Sequence, residues 1–404
     1  MHVAINAWFW NQPATGSGQY VRRLLASLEE IEPEHRFYPI MPRSAVRRKP
    51  SAAFYKLWFE QVVFPRAAAA RKAEIALVPY FASPLQPTTP TVVTVHDLIP
   101  IVLPAYRGSA LVRAYTRLVA AGARRADAVI ADSEHSKRDI VTHLRIDPQQ
   151  VFVIPLAVGP EFRPAPAESV AQVRRQYSLP PRYVLYLGGF DQRKNVGTLL
   201  RAFAELRTGA LRGSDLRLVV AGRLPARDTS FAPDPQRLAS ELGIEDAVIF
   251  PGWIEEDDKP ALYTGAELFV FPSRYEGFGL PVLEAMACGT PVVTSNTSSL
   301  PEIVGDAGLT LDPNDASTLA EGMWQVLRDP DRRQAMREAG LRQAGRFSWH
   351  RTARATLDVL VQKQVPGQHR TLPAAGPTCS QPSYNLQPLT AARKEEKGKH
   401  ERPG

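Results

Sequence analysis

The stretch FPSRYEGFGLPVLEAMACGTPVVTS, Phe271 to Ser295, decides the fold of this chain. Its first residue ends a strand, Leu268 to Phe271, and a Gly-rich loop follows. A short helix then opens at Pro281 and closes before Gly289, and a second strand runs from Pro291 to Thr294. Pro in the first helical turn and Gly just past the last are the usual punctuation of such a helix. Gly277 and Gly279 fall where backbone comes close to a neighbour, and the free N–H groups of the helix start point the same way. Such a terminus favours an anion, most often phosphate. Glu276 and Glu284 frame the loop. A carboxylate beside phosphate repels it, so each is expected to accept hydrogen bonds from neutral hydroxyls. Phosphate flanked by hydroxyl-bearing groups describes a nucleotide sugar.

Outward from this segment, short apolar strands alternate with helical patterns along the whole chain, which means α/β with parallel sheets. Strands are expected in the first half near Val3–Ala7, Phe37–Ile40, Ile75–Val78, Val92–Val95, Ala128–Ala131 and Val151–Ile154. The second half repeats the plan at Tyr183–Leu187, Leu216–Ala221, Ala247–Phe250, Leu268–Phe271, Pro291–Thr294 and Leu309–Leu311. Between the halves PLAVGPEFRPAPAES, Pro155 to Ser169, has four prolines and no periodicity, as a linker does. The expected organisation is two doubly wound, Rossmann-like domains facing a cleft, residues 1–165 and 166–346. A helix at 347–363 and a tail at 364–404 complete the chain. The tail is rich in Pro, Gly, Ser, Gln and charge and reads as disordered. In such a fold the ligand lies in the cleft, outside the carboxyl ends of the strands.

Three further constellations fall on that edge. TGSGQY, Thr15 to Tyr20, precedes an amphipathic helix expected over Tyr20–Glu30. Gly16 and Gly18 let backbone approach a phosphate there, although Gly-rich turns precede many helices and a full G-x-G-x-x-G is missing. VVTVHDL places His96 and Asp97 at a strand end, either facing a ligand or as a pair that fixes the loop. LYLGGFDQRKN, Leu185 to Asn195, puts Arg193 and Lys194 at the positive end of the following helix. Two cations at that end are unfavourable unless an anion lies between them.

The pair of glutamates with seven residues between them, within EGFGLP and EAMACGTPVV, resembles the retaining, nucleotide-sugar-dependent glycosyltransferases of family four, which have the GT-B fold. The resemblance spans about residues 1 to 360 and is strongest in the second half. It implies that Glu284 holds the donor ribose and that Glu276 and His96 contact the donor hexose. It further implies that N–H groups around Phe278, Gly279 and Leu280 hold sugar and diphosphate, with the Gly16/Gly18 loop facing the phosphates. Lys194 matches the family lysine that neutralises the leaving diphosphate. Relatives carry Arg where this chain has Gly189, so Arg193 is a substitute for it. The segment FPGWIEEDDKPALY, Phe250 to Tyr263, corresponds to the base site, with Trp253 or Ile254 against the base. The last helix, Trp349 to Lys363, is expected to cross back onto the first domain.

The activity so implied is hexosyl transfer from GDP-mannose, or from UDP-glucose or another UDP-hexose, to a glycan or lipid-linked acceptor of cell-surface polysaccharide. The HDLIP and RKN segments look like those of bacterial mannosyltransferases. The rivals are a nucleotide-sugar-binding protein without transfer activity and an epimerase of the same fold. A glycoside hydrolase needs two carboxyls roughly 5–9.5 Å apart. Eight helical residues separate them by about 12 Å, and a neutral glycoside has no use for a phosphate site.

Composition narrows the field. With 404 residues and 44% apolar content the chain supports two ordinary cores. No apolar run reaches the roughly 18 residues of a membrane span, and no signal peptide is visible, so a cytoplasmic protein is expected. Only Cys288 and Cys379 are present, without a Cys/His cluster, so neither a disulfide framework nor a metal site is expected. The net charge of +8 has no basic stripe interleaved with aromatics, so no nucleic-acid partner is expected. The stretch Ala53 to Ala73 reads either as a core helix ending before Pro65 or as a helix on the inner membrane face. In the second reading Lys56, Arg66, Arg71 and Lys72 meet anionic lipid.

Overall fold

Runs such as Ile75–Val78 and Leu268–Phe271 are apolar at every position, so a strand made from them must be covered on both faces. The computed structural model, which describes residues 1–12, 15–42 and 49–364, has two parallel sheets of six strands with helices on both sides. The first sheet comprises β1 (His2–Asn6), β2 (Arg36–Ile40), β3 (Ile75–Val78), β4 (Thr91–Val95), β5 (Ala128–Ala131) and β6 (Val151–Val153), in the order β2-β1-β3-β4-β5-β6. The second comprises β7 (Tyr183–Leu187), β8 (Arg217–Ala221), β9 (Val248–Ile249), β10 (Leu268–Phe271), β11 (Val292–Ser295) and β12 (Leu309–Leu311). Its order is β12-β11-β10-β7-β8-β9. Both sheets reverse direction of growth once, between β1 and β3 in one and between β7 and β10 in the other. Ligands of open parallel sheets bind at such reversals, beyond the strands' carboxyl ends.

Every residue of β7 and β10 is buried, and Tyr186, Phe271 and Phe269 stack along their shared face with ring centroids 6.0 and 5.9 Å apart. The GT-B architecture expected from the alternation is therefore present. β9 is shorter than expected, because Glu245–Ala247 winds into a 3-10 turn before it.

Two helices differ from their sequence reading. The first begins at Gly16, four residues early, because Thr15 caps it by accepting from the Gly18 N–H at 3.1 Å. In the Ala53–Ala73 region the helix does not stop before Pro65. Lys49–Trp58 continues through a π-helical turn, Phe59–Val63, into Phe64–Ala70. Proline lacks the N–H that a regular helix needs, and the wider turn accommodates it. Phe59, Phe64 and Ala68 are buried, as the core reading requires, whereas Phe54 and Trp58 are exposed. Lys56 does not face outward. It pairs with the buried Glu60 at 3.5 Å and sits among the rings of Phe9, Tyr80 and Tyr115 at 5.1 to 5.5 Å.

The Trp349–Lys363 helix packs against Gly16–Ile31 and beneath β3, β4 and β5. Among the described residues no helix is long and apolar enough to cross a membrane. The tail from residue 365 onward, with Cys379, lies outside the described residues.

Candidate active site

The two reversal points face each other across a cavity of about 740 Å³, within the usual range for a small-molecule site. Every site residue expected from the sequence lines it except Gly18. Gly18 is explained by packing: a Cβ there would collide with the Gln12 carbonyl oxygen, and its N–H is already taken by Thr15. Gly16 stands in open space at the helix start and keeps its backbone available.

Glu276 comes from the loop after β10. Its carboxylate meets the Lys194 Nζ at 2.6 Å and the Arg193 Nη1 at 2.8 Å, both delivered by the loop after β7. The Ser273 hydroxyl donates to the same carboxylate at 2.6 Å. Burial pushes its pKa up, but the charges of Lys194 and Arg193 outweigh burial and hold it below the ordinary glutamate value. Glu276 is therefore an anion whose remaining acceptor capacity suits neutral hydroxyls. Arg193 also lies 3.3 Å from Asp191 and donates to the Tyr275 carbonyl at 3.0 Å. The expected cation pair is real, and its present partner is Glu276.

Opposite, His96 stands at the end of β4 with Nδ1 2.8 Å from Asp132 and Nε2 3.3 Å from the Pro79 carbonyl. Its ring packs edge-on to Tyr20, centroids 4.8 Å apart. Burial lowers the imidazole pKa, and Asp132 more than reverses this, so the net shift is upward. Asp97 accepts from the Ile99 N–H at 3.0 Å and so fixes its own loop.

Glu284, one turn into the Leu280–Ala287 helix, accepts from the Tyr263 hydroxyl at 2.8 Å. Burial raises its pKa, partly offset by Lys259. At the start of that helix Gly279 has φ +119°, a conformation that favours glycine, and no side chain caps the first turn. Pro281 has no N–H, and the Val282 and Leu283 N–H groups donate to the Gly279 carbonyl at 3.0 and 3.3 Å, so the backbone that lines the cavity for an anion is that of Phe278, Gly279 and Leu280. The Phe278 side chain is buried against Phe347, so Phe278 offers backbone to the cavity. The same holds for Ile254, which is 1% exposed. Trp253 is exposed and carries the Arg223 guanidinium 5.4 Å from its ring centroid.

Sequence reasoning missed Asp132, Tyr263, Ser273 and Arg223. Asp132 had the same signal as His96, since it directly follows β5 on the cleft-facing edge. Ser273 lies only three residues before Glu276, whereas Tyr263 and Arg223 are supports whose partners, Glu284 and Trp253, lie farther along the chain.

Two family models match the chain: Glycosyltransferase Family 4 over residues 18–162 and Glycosyl transferases group 1 over residues 171–343. O-antigen chain mannosyltransferase B of Escherichia coli is 33% identical over 268 residues, 66% of this chain and 69% of that protein. Serotype-specific mannosyltransferase WbdA of Escherichia coli is 34% identical over 272 residues, again 66% of this chain. The match spans only 33% of WbdA's length. Among solved structures, the Anabaena protein HepE in complex with UDP-glucose superposes with a TM-score of 0.67 at 16% identity, covering 90% of this chain and 100% of that one. Fold and both family matches agree, and the chain belongs to the group 1 glycosyl transferases, the family 4 hexosyltransferases of GT-B fold.

Proposed function

We propose that this chain transfers a hexose, with retention of configuration, from a nucleotide sugar to a glycan or lipid-linked acceptor of a cell-surface polysaccharide. GDP-mannose is the first donor to test and a UDP-hexose the second. The observation that carries the reading is Glu276 held ionised between Lys194 and Arg193, in one cavity with His96, Glu284 and an uncapped helix start. The Escherichia coli relatives named as mannosyltransferases support mannose, and HepE, solved with UDP-glucose, supports a nucleotide sugar.

In this reading Glu284 accepts from the ribose hydroxyls, and Glu276 and His96 position the hexose. The bond between the anomeric carbon and the donor phosphate breaks through an oxocarbenium-like state. Lys194, Arg193 and the helix start at Gly279 stabilise the charge that grows on the departing diphosphate, the place where electrostatic catalysis has most effect. The departing phosphate takes the acceptor's proton on the same face. Protein cations serve here without a bound metal. The enzyme works in the cytoplasm and touches the membrane peripherally through Phe54, Trp58, Leu111 and Val112, which are exposed on two helices joined by the Lys56–Tyr115 hydrogen bond. Exposed Arg107, Arg113 and Arg117 flank them, a charge that suits anionic lipid.

A donor screen with mass detection of products tests this reading. Transfer from GDP-mannose or a UDP-hexose supports it. Binding without turnover favours a binding protein, and an isomerised donor favours an epimerase.

A further inference from the structure

Gly277 follows Glu276 and lies directly on the backbone of His96, with no room for a side chain between them: a Cβ at Gly277 would collide with the His96 carbonyl oxygen. The Gly277 carbonyl accepts from two buried hydroxyls of the opposite half, Ser133 at 2.8 Å and Ser136 at 2.9 Å. Ser136 also reaches the His96 carbonyl at 3.3 Å. From the other side, the segment Ser298–Glu302 grips the same loop. The Ser298 hydroxyl accepts from the Glu276 N–H at 2.8 Å, and Ser299 donates to the carbonyls of Glu276 and Phe278 at 3.0 and 2.6 Å. Glu302 then crosses the cleft, and its two carboxylate oxygens accept from the Glu134 and His135 N–H groups, each at 2.8 Å. Next to it the Tyr275 hydroxyl donates to Asp139 at 2.5 Å.

These contacts close one loop of residues. The carboxylate of Glu302 faces amide groups that carry the positive end of the short Glu134–Asp139 helix, so the attraction is charge-assisted. Neither Ser133, Ser136 nor Glu302 lines the cavity, so none of them touches a bound nucleotide. What they fix is where the Glu276 loop stands relative to His96.

We propose that Ser133, Ser136 and Glu302 are positioning residues for transfer: they latch the Tyr275–Phe278 loop of the second half onto the strand end that carries His96. Glu276 and His96 address the same hexose only while the latch is made. The role rests on the hexosyl-transfer reading above, whereas the latch itself does not. A side chain that merely stabilised the fold would change thermal stability and nucleotide affinity together. A latch changes the separation of the halves and the rate of transfer, and leaves nucleotide affinity alone.

The test uses the full chain, as Glu302→Ala, Glu302→Gln and the double variant Ser133→Ala/Ser136→Ala. Small-angle scattering measures the radius of gyration, calorimetry the affinity for GDP and UDP, and a product assay the turnover. We expect Glu302→Ala and the double serine variant to have a larger radius of gyration than the parent. We expect kcat to fall about tenfold or more, with nucleotide Kd held within about twofold. Glu302→Gln keeps one amide oxygen as acceptor and should fall between parent and alanine variant. An unchanged radius in both Glu302→Ala and the serine pair overturns the latch. Parallel losses of kcat and nucleotide affinity overturn the positioning role. If the parent transfers no sugar, the functional reading fails, and scattering alone still decides whether the latch exists. Should Glu302→Ala not fold, the serine pair carries the decision.

Discussion

Lys194 and Glu276 meet at 2.6 Å across the line where the second sheet reverses its order, one supplied by the loop after β7 and the other by the loop after β10. A lysine at this junction has two tasks. It keeps Glu276 ionised in a buried place, and it stands ready for the diphosphate. Lys194→Ala should therefore lower kcat more than donor affinity, because the diphosphate charge grows toward the transition state. Arg193 remains to hold Glu276 in that variant. Steady-state kinetics beside calorimetric donor binding measure the split, and wild-type kcat would remove the leaving-group role. Turnover should also survive EDTA.

Glu284 is predicted to govern nucleotide affinity. Glu284→Ala removes a charge-assisted acceptor from the ribose hydroxyls, at about 1.5–3 kcal/mol. That is about a 10- to 150-fold loss in Kd. Titration with GDP and with UDP checks it, and unchanged affinity for both would take Glu284 out of the site.

The His96–Asp132 pair sets a pH dependence. The folded imidazole has a raised pKa because Asp132, with help from Asp97, outweighs burial. A group raised on folding stabilises most below its unfolded pKa, about 6.5 for histidine. That stabilisation is lost as pH rises through the folded value. The stability gap between the parent and His96→Asn should thus be wider at pH 5.5 than at pH 8.5, as urea midpoints would record. A gap that widens with pH would refute the assigned direction.

Membrane contact is expected to be weak and salt-sensitive. Sedimentation with anionic vesicles at low salt should retain the parent and lose much of the double variant Phe54→Ser/Trp58→Ser, whose parent side chains are exposed. Equal recovery with anionic and neutral vesicles would mark a protein without this surface.

The fold was legible because its signals are local. Buried strands announce themselves by four or five consecutive apolar residues, and Pro281 with Gly289 brackets the helix that carries Glu284. The site was legible where one segment holds several parts, as in Tyr275 to Glu284. It became illegible where a residue's meaning lies in a distant partner. Glycine signals close approach without naming the neighbour, so Gly18 resembles a phosphate loop when it is in fact packed on Gln12. Lys56 on a helical wheel points at solvent or lipid, and only the fold brings Phe9, Tyr80, Tyr115 and Glu60 around it. Glu302 and Glu134 are 168 positions apart, and nothing near either one foretells their contact.

The return of the Trp349–Lys363 helix has a consequence for synthesis on the ribosome. Trp349 lies 5.9 Å from the Tyr20 ring, Thr352 donates to the Pro155 carbonyl at 2.8 Å, and Leu357 and Leu360 are buried. The first sheet emerges early, yet the helix that covers its flank is translated only after every strand of the second sheet. A fragment ending at residue 165 would leave an open apolar groove and invite aggregation or chaperone capture. A soluble first half calls for a circular permutant, with Trp349–Lys363 spliced ahead of β1.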